Sequence, residues 1–319
     1  MEELAAIIKT QALTRDFGKT RAVDSLDLSI PPGELFGIVG PDGAGKTTTL
    51  RLLAGLLSIT SGSATVSGYD LARQSEAIKH KIGYMAQQFS LYGELTVLEN
   101  LRFFSKLYDV DEAQLPSRME NLLSFAGLTE FKDRRGAHLS GGMQKKLALA
   151  CTLIHHPEIL LLDEPTTGVD PVSRREFWNI LTDLHLEGTT VVVSTPYMDE
   201  ADRCARVGLM YAGRMMMCDT PQRIRTEVRG DVVELRPEEW RKAKAIVESL
   251  PGVLEVQTYG ERLHLVVDSA ARQIPNIEKI LRKEKIRHTG LRRAPARMEE
   301  AFISLIRKLE ALEGNSLEE

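Results

Sequence analysis

The chain has 319 residues, enough for two domains, and its formal net charge of −4 gives no general reason to expect nucleic-acid binding. Its longest apolar stretches have the length of strands and fall short of the roughly 20 residues that a membrane helix needs. The N-terminus lacks the basic start and cleavage site of a signal peptide, and the three cysteines have no metal-ligand spacing, so we expect a soluble cytosolic protein.

The first predicted elements are strands that lead into a glycine-rich loop. Ile7 to Phe17 and Leu26 to Ile30 show the apolar and β-branched alternation that is typical of antiparallel strands. Leu35 to Val39 is a continuous apolar run that predicts a buried strand, and Thr47 to Leu57 has the periodicity of a helix. Strand, loop and helix in this order form the context in which a phosphate-binding loop occurs.

The loop itself has the pattern G-x-x-x-x-G-K-T of a phosphate-binding loop. Gly43 and Gly45 would let backbone N–H groups turn towards phosphate oxygens, next to the favourable dipole of the following helix. Lys46 can reach the β- and γ-phosphates, and Thr47 can place its hydroxyl on Mg²⁺. A chance match in an ordinary glycine-rich turn is the alternative, which the flanking strand and helix disfavour. With the threonine that follows it, the loop comprises Gly40, Pro41, Asp42, Gly43, Ala44, Gly45, Lys46, Thr47 and Thr48.

The segment after the first helix is more irregular and mostly helical. It extends from about Arg73 to Gly142, and within it Thr96 to Glu99 is a capping-box pattern that predicts a helix start. Further on, Ile159 to Leu162 and Thr190 to Ser194 predict two more buried parallel strands. Ser173 to Leu186, between them, predicts an amphipathic helix. This order of elements predicts an α/β core.

Two acidic residues follow the apolar run of the first of these strands. Asp163 could hold Mg²⁺ through a water molecule, and Glu164 is a candidate general base for the water that attacks the γ-phosphate. An isolated Asp-Glu pair after a strand is more often a helix cap. Its position after a phosphate-binding loop favours the catalytic interpretation.

A second glycine-rich segment lies before the strand Ile159 to Leu162. Ser140, Gly141 and Gly142 precede a helical run, so they offer a second helix N-terminus with small residues to an anion. A plain N-cap serine is the simpler alternative. The functional interpretation is that this segment caps the γ-phosphate bound to another subunit, which places ATP between two such domains.

The sequence character changes near Gly230. From there the predicted order is β-α-β-β-α-β, which indicates a small α+β module of ferredoxin-like topology, followed by a final helix. We therefore predict an ATP-binding domain over 5–225 and an accessory domain over 231–312, with the boundary between 221 and 231. Residues 313–319 are expected to form a disordered tail.

Basic residues are concentrated between Lys279 and Arg297 in this second domain. The segment contains Arg282, Lys283, Lys285, Arg287, Arg292, Arg293 and Arg297. Contact with anionic lipid or with a partner is one interpretation. A solvated helix face and strand end is the commoner explanation of such a charge run.

Residues 5 to 220 resemble the nucleotide-binding domain of an ABC transporter. The resemblance depends on several motifs in the family's order: Gly40 to Thr47 resembles Walker A, Leu139 to Gln144 the signature loop, Ile159 to Glu164 Walker B, and Gly168 to Asp170 the D-loop. It implies a P-loop NTPase fold of ABC type, with an antiparallel β subdomain, a mixed or parallel sheet core and a helical subdomain. It also implies ATP as substrate and Mg²⁺ as cofactor.

The same resemblance assigns roles to single residues. Gln87 matches the Q-loop glutamine that senses Mg²⁺ and the transmembrane partner, and Phe17 stands where the family stacks an aromatic ring on adenine. The implied catalytic residues are Lys46, Gln87 and Glu164, and the implied metal-binding residues are Thr47, Gln87 and Asp163. The other nucleotide-binding residues are Phe17, the phosphate-binding loop to Thr48, Ser140, Gly141 and Gly142.

The second domain and Met143 are similar to the branch of ABC-2 type exporters that carry drugs, antibiotics or sodium. Within it, the Pro-Asp-Gly phosphate loop resembles the N-terminal half of tandem ATPases of the YbhF type. The implied partners are a second ABC ATP-binding domain, as a homodimer or as the other tandem half, and separate transmembrane permease subunits. The permease would contact the region around Phe89 to Glu99, which implies a peripheral position on the inner face of the cell membrane.

Two other functions remain open at this point. A soluble ABC ATPase acting on ribosomes or DNA would need long coiled-coil insertions, a tandem linker or a strongly basic surface, which the sequence does not contain. A mainly regulatory ATP-binding half would bind ATP tightly and hydrolyse little of it even as a dimer.

One position departs from the family pattern. Pro196 follows the strand Thr190 to Ser194 at the position where the family has a histidine that contacts the γ-phosphate. Proline has neither a ring nitrogen that could act as donor nor a backbone N–H. We therefore expect normal binding of Mg-ATP with slow hydrolysis. Because Glu164 is intact, we do not expect complete inactivity. The alternative is that Pro196 only stiffens a turn.

Overall fold

The computed structural model describes residues 5–88 and 91–315, with side chains up to residue 310. The chain forms two compact units, the first ending at Thr220 and the second beginning at Pro221. Among the described residues, no helix combines the length and the apolar character needed to cross a membrane.

The first unit contains two sheets and a group of helices. Its strands are β1 (Ile8–Phe17), β2 (Thr20–Ile30), β3 (Leu35–Val39), β4 (Ser61–Val66), β5 (Tyr69–Asp70), β6 (Ile82–Met85), β7 (Ile159–Asp163), β8 (Thr190–Thr195), β9 (Arg206–Tyr211) and β10 (Arg214–Asp219). Its helices are α1 (Lys46–Leu53), α2 (Ser75–Lys79), α3 (Val97–Leu107), α4 (Leu115–Phe125), α5 (Gly141–Leu153) and α6 (Pro171–Leu186). Short 3₁₀ helices cover Thr129–Phe131, Gly136–His138 and Met198–Arg203.

The larger sheet of this unit has six strands in the order β10-β9-β3-β8-β7-β6. All neighbours are parallel except β10, which forms an antiparallel hairpin with β9. Every residue of β3, β7 and β8 is buried, as expected for central parallel strands that are covered on both faces. The carboxyl ends of these three strands therefore lie at one edge, where loops can form a site.

The smaller sheet is antiparallel, in the order β2-β1-β4-β5, and shares a core with α1 and the larger sheet. A separate apolar cluster joins α3, α4 and α5 into the helical subdomain. Thr96 caps α3 as predicted: its hydroxyl accepts from Glu99 N, and the Glu99 carboxylate accepts from Thr96 N at 2.8 Å. The predicted ABC-type α/β fold, with antiparallel, mixed-sheet and helical parts, is confirmed.

The second unit is a ferredoxin-like α+β module, as predicted. Its elements are α7 (Pro221–Arg225), β11 (Asp231–Pro237), α8 (Trp240–Glu248), β12 (Val253–Tyr259), β13 (Arg262–Val267), α9 (Ala270–Lys283), β14 (His288–Ala294) and α10 (Met298–Asn315). The sheet is antiparallel, in the order β12-β13-β11-β14. Side chains of β11 and β13 pack with α8 and α9 in one core, and His264 of β13 contacts Glu300 of α10 at 2.7 Å.

Two details differ from the predicted boundaries. Helix α7 groups with the second unit, although the boundary at 225 assigned it to the first, because the chain beyond it contacts α10: Ser304 Oγ donates to Glu227 O at 3.4 Å. Helix α10 continues to Asn315, three residues beyond the end at 312 that was predicted for the accessory domain, and the disordered tail stays a prediction. Residues 316–319 lie outside the described part of the chain.

Candidate functional site

The glycine-rich loop crosses the carboxyl edge of the larger sheet between β3 and α1. Gly40 N donates to Thr195 O of β8 at 3.3 Å, and a Cβ on Gly40 would lie 2.1 Å from Met210 O. Any side chain at this position would therefore displace backbone. The loop can follow this path only because residue 40 is glycine.

Helix α1 begins immediately after a glycine in a left-handed conformation. Gly45 is its N-cap with φ 101°, and a Cβ there would lie 2.3 Å from Ala22 O. This turn presents the N-terminal N–H groups of α1 to the open side of the sheet edge. Such an end attracts anions because its N–H groups and the helix dipole are both directed at the ligand.

Lys46 and Glu164 form a buried ion pair inside this edge. Lys46 Nζ lies 3.2 Å from Glu164 Oε1 and donates to Pro41 O at 3.0 Å, and the two side chains are 3% and 6% exposed. The second carboxylate oxygen, Oε2, accepts from Gln87 Nε2 at 2.8 Å and from Thr167 Oγ1 at 3.3 Å. The carboxylate is thus held by three groups: Lys46 of α1, Gln87 after β6 and Thr167 after β7.

The backbone of Glu164 is strained as well as buried. Its φ is 45°, in the left-handed region that side-chain-bearing residues rarely occupy, at a cost of about 1–3 kcal/mol. Ser194 compensates, since its hydroxyl accepts from Glu164 N at 3.1 Å. The strain directs the carboxylate at the loop, where it meets Lys46.

A set of oxygen atoms that could coordinate a metal ion lies beside this ion pair. Thr47 Oγ1 donates to Asp163 Oδ1 at 3.0 Å, and Ser194 Oγ donates to the same oxygen at 2.7 Å. Carboxylate, hydroxyl and amide oxygens suit Mg²⁺, which usually takes one or two carboxylates together with phosphate oxygens and water. Within 5–88 and 91–315 no cluster of three or more His, Cys, Asp or Glu could hold a metal alone. The donor set therefore fits Mg²⁺ that arrives with a phosphate.

These groups border a cleft of about 750 Å³, within the usual range for ligand sites. It is lined by Phe17, Ala22, Asp42, Gly43, Gly45, Lys46, Thr47, Thr48, Gln87, Glu164, Thr167, Pro196 and Tyr197. Phe17 is 46% exposed at its rim, with the Arg15 guanidinium 4.5 Å from the ring centroid. The cleft thus joins an exposed aromatic ring to the phosphate-binding loop.

The signature segment is not part of this cleft. Ser140 caps α5, its hydroxyl accepting from Met143 N at 3.3 Å, and Gly142 packs so closely under Ser173 that a Cβ would lie 2.5 Å from Ser173 Oγ. Of the described residues that line the cleft, none belongs to the signature loop. The structure brings Lys46, Gln87 and Glu164 together, whereas Gly141 lines a neighbouring pocket with Gln87 and Thr167, and Ser140 and Gly142 line neither of the two.

Pro196 is half-buried in the cleft wall, and a short polar network holds the residues on either side of it. The buried Glu200 carboxylate accepts from Thr195 Oγ1 and from Thr166 Oγ1, both at 2.7 Å. Arg174 of α6 lies 3.7 Å from Glu200 Oε1, and its guanidinium lies 4.3 Å from the centroid of the Tyr197 ring. The network attaches the segment after β8 to the start of α6.

Sequence reasoning did not identify Arg174, Glu200 or Lys145. Lys145 Nζ donates to Gln87 O at 2.7 Å. Burial lowers the pKa of Lys145, against the opposing effect of Asp163 and Glu164. No local pattern marks these residues, because each meets its partner only through the fold.

Comparison with known proteins agrees with this geometry. A family model described as "ABC transporter" matches residues 23–167. Over 225 residues the chain is 43% identical to the probable multidrug ABC transporter ATP-binding protein YbhF of Escherichia coli K12; the match covers 70% of this chain and 39% of YbhF. It is 35% identical over 305 residues to the daunorubicin resistance ATP-binding protein DrrA2 of Streptomyces coeruleorubidus, covering 93% of this chain and 94% of that protein.

Solved structures lead to the same family. The dimeric ATP-binding cassette MJ0796, in a post-hydrolysis state bound to ADP and Pi, superposes with a TM-score of 0.61 at 28% sequence identity. The superposition covers 67% of this chain and 98% of that one. The DrrA2 match extends over nearly the whole chain, and the solved cassette has the same fold. The chain therefore belongs to the family of ABC transporter ATP-binding proteins.

Proposed function

We propose that this chain binds Mg-ATP in the cleft, hydrolyses it, and thereby energises a membrane exporter. The observation that carries the proposal is the convergence of Lys46, Glu164 and Gln87 beside the Thr47–Asp163 pair. A lysine at a helix N-terminus, an oxygen-only metal set and a buried carboxylate are the groups that phosphoryl transfer to water requires.

The ion pair suggests how binding prepares the site. Lys46 Nζ already contacts an oxygen of Glu164 at 3.2 Å, and β- and γ-phosphate oxygens would compete for the same ammonium group. Glu164, still held by Gln87 at 2.8 Å, could then accept the proton of the attacking water. Thr47, Gln87 and Asp163 would hold Mg²⁺, which supplies charge neutralisation at the phosphates. Adenine would stack on Phe17 at the rim.

The signature segment is the remaining motif, and it indicates a second ABC ATP-binding domain. Because Ser140, Gly141 and Gly142 lie outside the chain's own cleft, we propose that they cap the γ-phosphate bound to the opposing domain. That domain would be a second copy of this chain or the other half of a tandem protein. The tandem case draws support from YbhF, of which the match covers only 39%.

The relatives' names indicate what the ATPase would serve. YbhF and DrrA2 are named for multidrug transport and daunorubicin resistance, and another relative is a Nod factor export ATP-binding protein. We propose that this chain likewise drives separate permease subunits from the inner face of the membrane, and we expect no nucleic-acid partner. The predicted permease contact is Phe89 to Glu99, of which residues 89 and 90 lie outside the described residues.

A mainly regulatory role is the second candidate, and one observation favours it. Pro196 occupies the cleft wall without a donor that could contact the γ-phosphate. We propose that the site hydrolyses ATP slowly for this reason. In the regulatory version the dimer would bind ATP tightly and turn it over little.

The experiment that tests the proposed function compares Glu164→Gln with Glu112→Gln in the full chain. Steady-state ATPase activity and binding of a fluorescent ATP analogue are measured for both variants. We expect Glu164→Gln to bind nucleotide at least as tightly as the wild type, because phosphate no longer competes with a carboxylate for Lys46, and to lose turnover by about 100-fold or more. Glu112 is exposed in the helical subdomain, so its variant should match the wild type. Wild-type turnover by Glu164→Gln would refute the catalytic assignment.

A further inference from the structure

The second unit contains a cavity of its own, of about 1180 Å³, which the proposed ATP site does not use. It is formed by the end of β11, the β12–β13 hairpin, the C-terminal half of α9 and the start of β14. Its lining residues with positive charge are Arg236, Arg262, Arg282, Lys285 and Arg287. The lining carboxylates are Glu238, Glu261 and Glu278, so the cations are in excess by two.

Two of the cations already have carboxylate partners at the cavity. Arg282 donates to Glu278 Oε1 at 2.7 Å across one turn of α9, and Arg287 Nε lies 3.1 Å from Glu238 Oε2. Both arginines are largely exposed, so these pairs contribute little and can be exchanged for another anion. The positive excess therefore lies on the other lining cations.

Arg236 and Arg262 have to share a single carboxylate. Glu234, only 5% exposed, lies 3.4 Å from Arg236 Nε, 3.4 Å from an Arg262 nitrogen and 3.3 Å from one of Arg292. These distances are longer than the 2.7–2.9 Å or so of a good charge-assisted hydrogen bond. One carboxylate with two oxygens cannot satisfy three guanidinium groups, each of which carries five N–H donors.

The shortage is visible at a single atom. Arg236 Nε is buried, lies 3.4 Å from Glu234 Oε1 and makes no hydrogen bond to any part of the chain that the structure describes. A buried cationic donor without a hydrogen-bond acceptor is destabilising. The Arg236 side chain as a whole is 42% exposed, so an anion in the adjoining cavity would supply acceptors for its other N–H groups.

We propose that this cavity binds a phosphate-bearing anion through Arg236, Arg262 and Lys285. The guanidinium fork matches two phosphate oxygens, and a phosphate monoester carries about −1.5 to −2 charges, close to the excess of positive charge. Pro237, Tyr259 and Ile286 add apolar surface to the wall. The cavity is larger than a phosphate alone requires, so the ligand is an organic phosphate, either a soluble metabolite or a lipid headgroup.

The first experiment measures binding of glycerol 3-phosphate by calorimetry. It uses the full-length protein, and the variants below distinguish binding in this cavity from binding at the phosphate-binding loop. We expect saturable binding that is weakened at least tenfold by Arg236→Gln with Arg262→Gln. Arg272→Gln is the control, because it also removes an ion-paired, exposed arginine of the second unit but lies outside the cavity. If the double variant is unfolded by circular dichroism, the exposed Lys285→Gln replaces it.

The second experiment distinguishes the two sources of the phosphate. The same proteins are sedimented with phosphatidylcholine vesicles that do or do not contain phosphatidic acid, whose headgroup is a phosphate monoester. Vesicle binding that requires Arg236 and Arg262, without calorimetric binding of glycerol 3-phosphate, identifies a lipid headgroup. Calorimetric binding without vesicle binding identifies a soluble ligand. The proposal is overturned if neither probe binds, or if the arginine variants bind as well as the Arg272→Gln control.

Discussion

Replacement of Pro196 by histidine should accelerate ATP hydrolysis. Pro196 lines the cleft with Lys46 and Glu164, so an imidazole at this position would face the bound nucleotide. The gain would come from one new hydrogen bond to the charged γ-phosphate in the transition state. Nucleotide affinity should change little, because the contacts of the phosphate-binding loop are untouched.

The magnitude follows from the value of such a bond. A hydrogen bond to a charged group contributes about 1.5–3 kcal/mol, and every 1.4 kcal/mol or so corresponds to a factor of ten. We therefore expect kcat to rise by about 10- to 100-fold for Pro196→His. The network that holds the following segment, Glu200 with Thr195 and Thr166, should survive because Pro196 takes no part in it.

The assay is steady-state release of phosphate from a dimerised protein, with KM determined in parallel. Pro196→Ala is the matched control, since it removes the ring constraint and restores the backbone N–H without adding an imidazole. The second control is the double variant Pro196→His with Glu164→Gln, in which the rise in kcat should be lost. If Pro196→His folds, binds ATP and keeps the wild-type kcat, the histidine position does not limit this site.

Three further results are expected. Arg174→Gln should lower kcat several-fold with little change in KM, because it releases the segment that carries the cleft wall; the neighbouring exposed Arg175→Gln should behave as wild type. Gly40→Ala should lower the free energy of unfolding by about 1–3 kcal/mol in urea titrations, since its Cβ would lie 2.1 Å from a backbone carbonyl oxygen. Gly141→Ala is its control, because an added Cβ there meets open space among the described residues. Burial acts to raise the pKa of Glu234, but the three guanidinium groups outweigh it and hold that pKa below the usual carboxyl range. The ionised form of Glu234 therefore stabilises the fold above pH ~4, and this contribution is lost as the pH falls through the depressed pKa. Replacing Arg236, Arg262 or Arg292 by glutamine should raise that pKa and so move acid unfolding to higher pH. Circular dichroism as a function of pH measures the shift.

Local patterns were sufficient to predict much of the core. The strand Leu35 to Val39 is observed with the predicted bounds, because a central parallel strand is a continuous apolar run between turn residues. The capping box at Thr96 involves only neighbours along the chain, so its residues alone determine it. The same holds for the phosphate-binding loop, whose complete motif is one continuous segment from Gly40 to Thr47.

Elements that depend on distant contacts were harder to predict. Pro275 suits a first helical turn, but helix α9 begins five residues earlier, at Ala270. Asp231 explains the difference, because its carboxylate accepts from Ala270 N at 2.8 Å and secures a turn that precedes the proline. The Arg174–Glu200 contact is similar: 26 residues separate the two, and only the packing of α6 against the end of β8 brings them together.

The ion pair between Lys46 and Glu164 depends both on local sequence motifs and on contacts between distant segments. Each residue belongs to a local motif, yet their 3.2 Å contact arises only when β3 and β7 are assembled in one sheet. Both charges are nearly buried, so removing one partner would leave the other uncompensated, at a cost of about 3–5 kcal/mol. Lys46 Nζ has three N–H donors, and Pro41 O and Glu164 take two of them, so a phosphate oxygen can approach Lys46 through the third. If the proposed function holds, phosphate at Lys46 would weaken its pairing with Glu164 and leave that carboxylate to accept the proton of the attacking water.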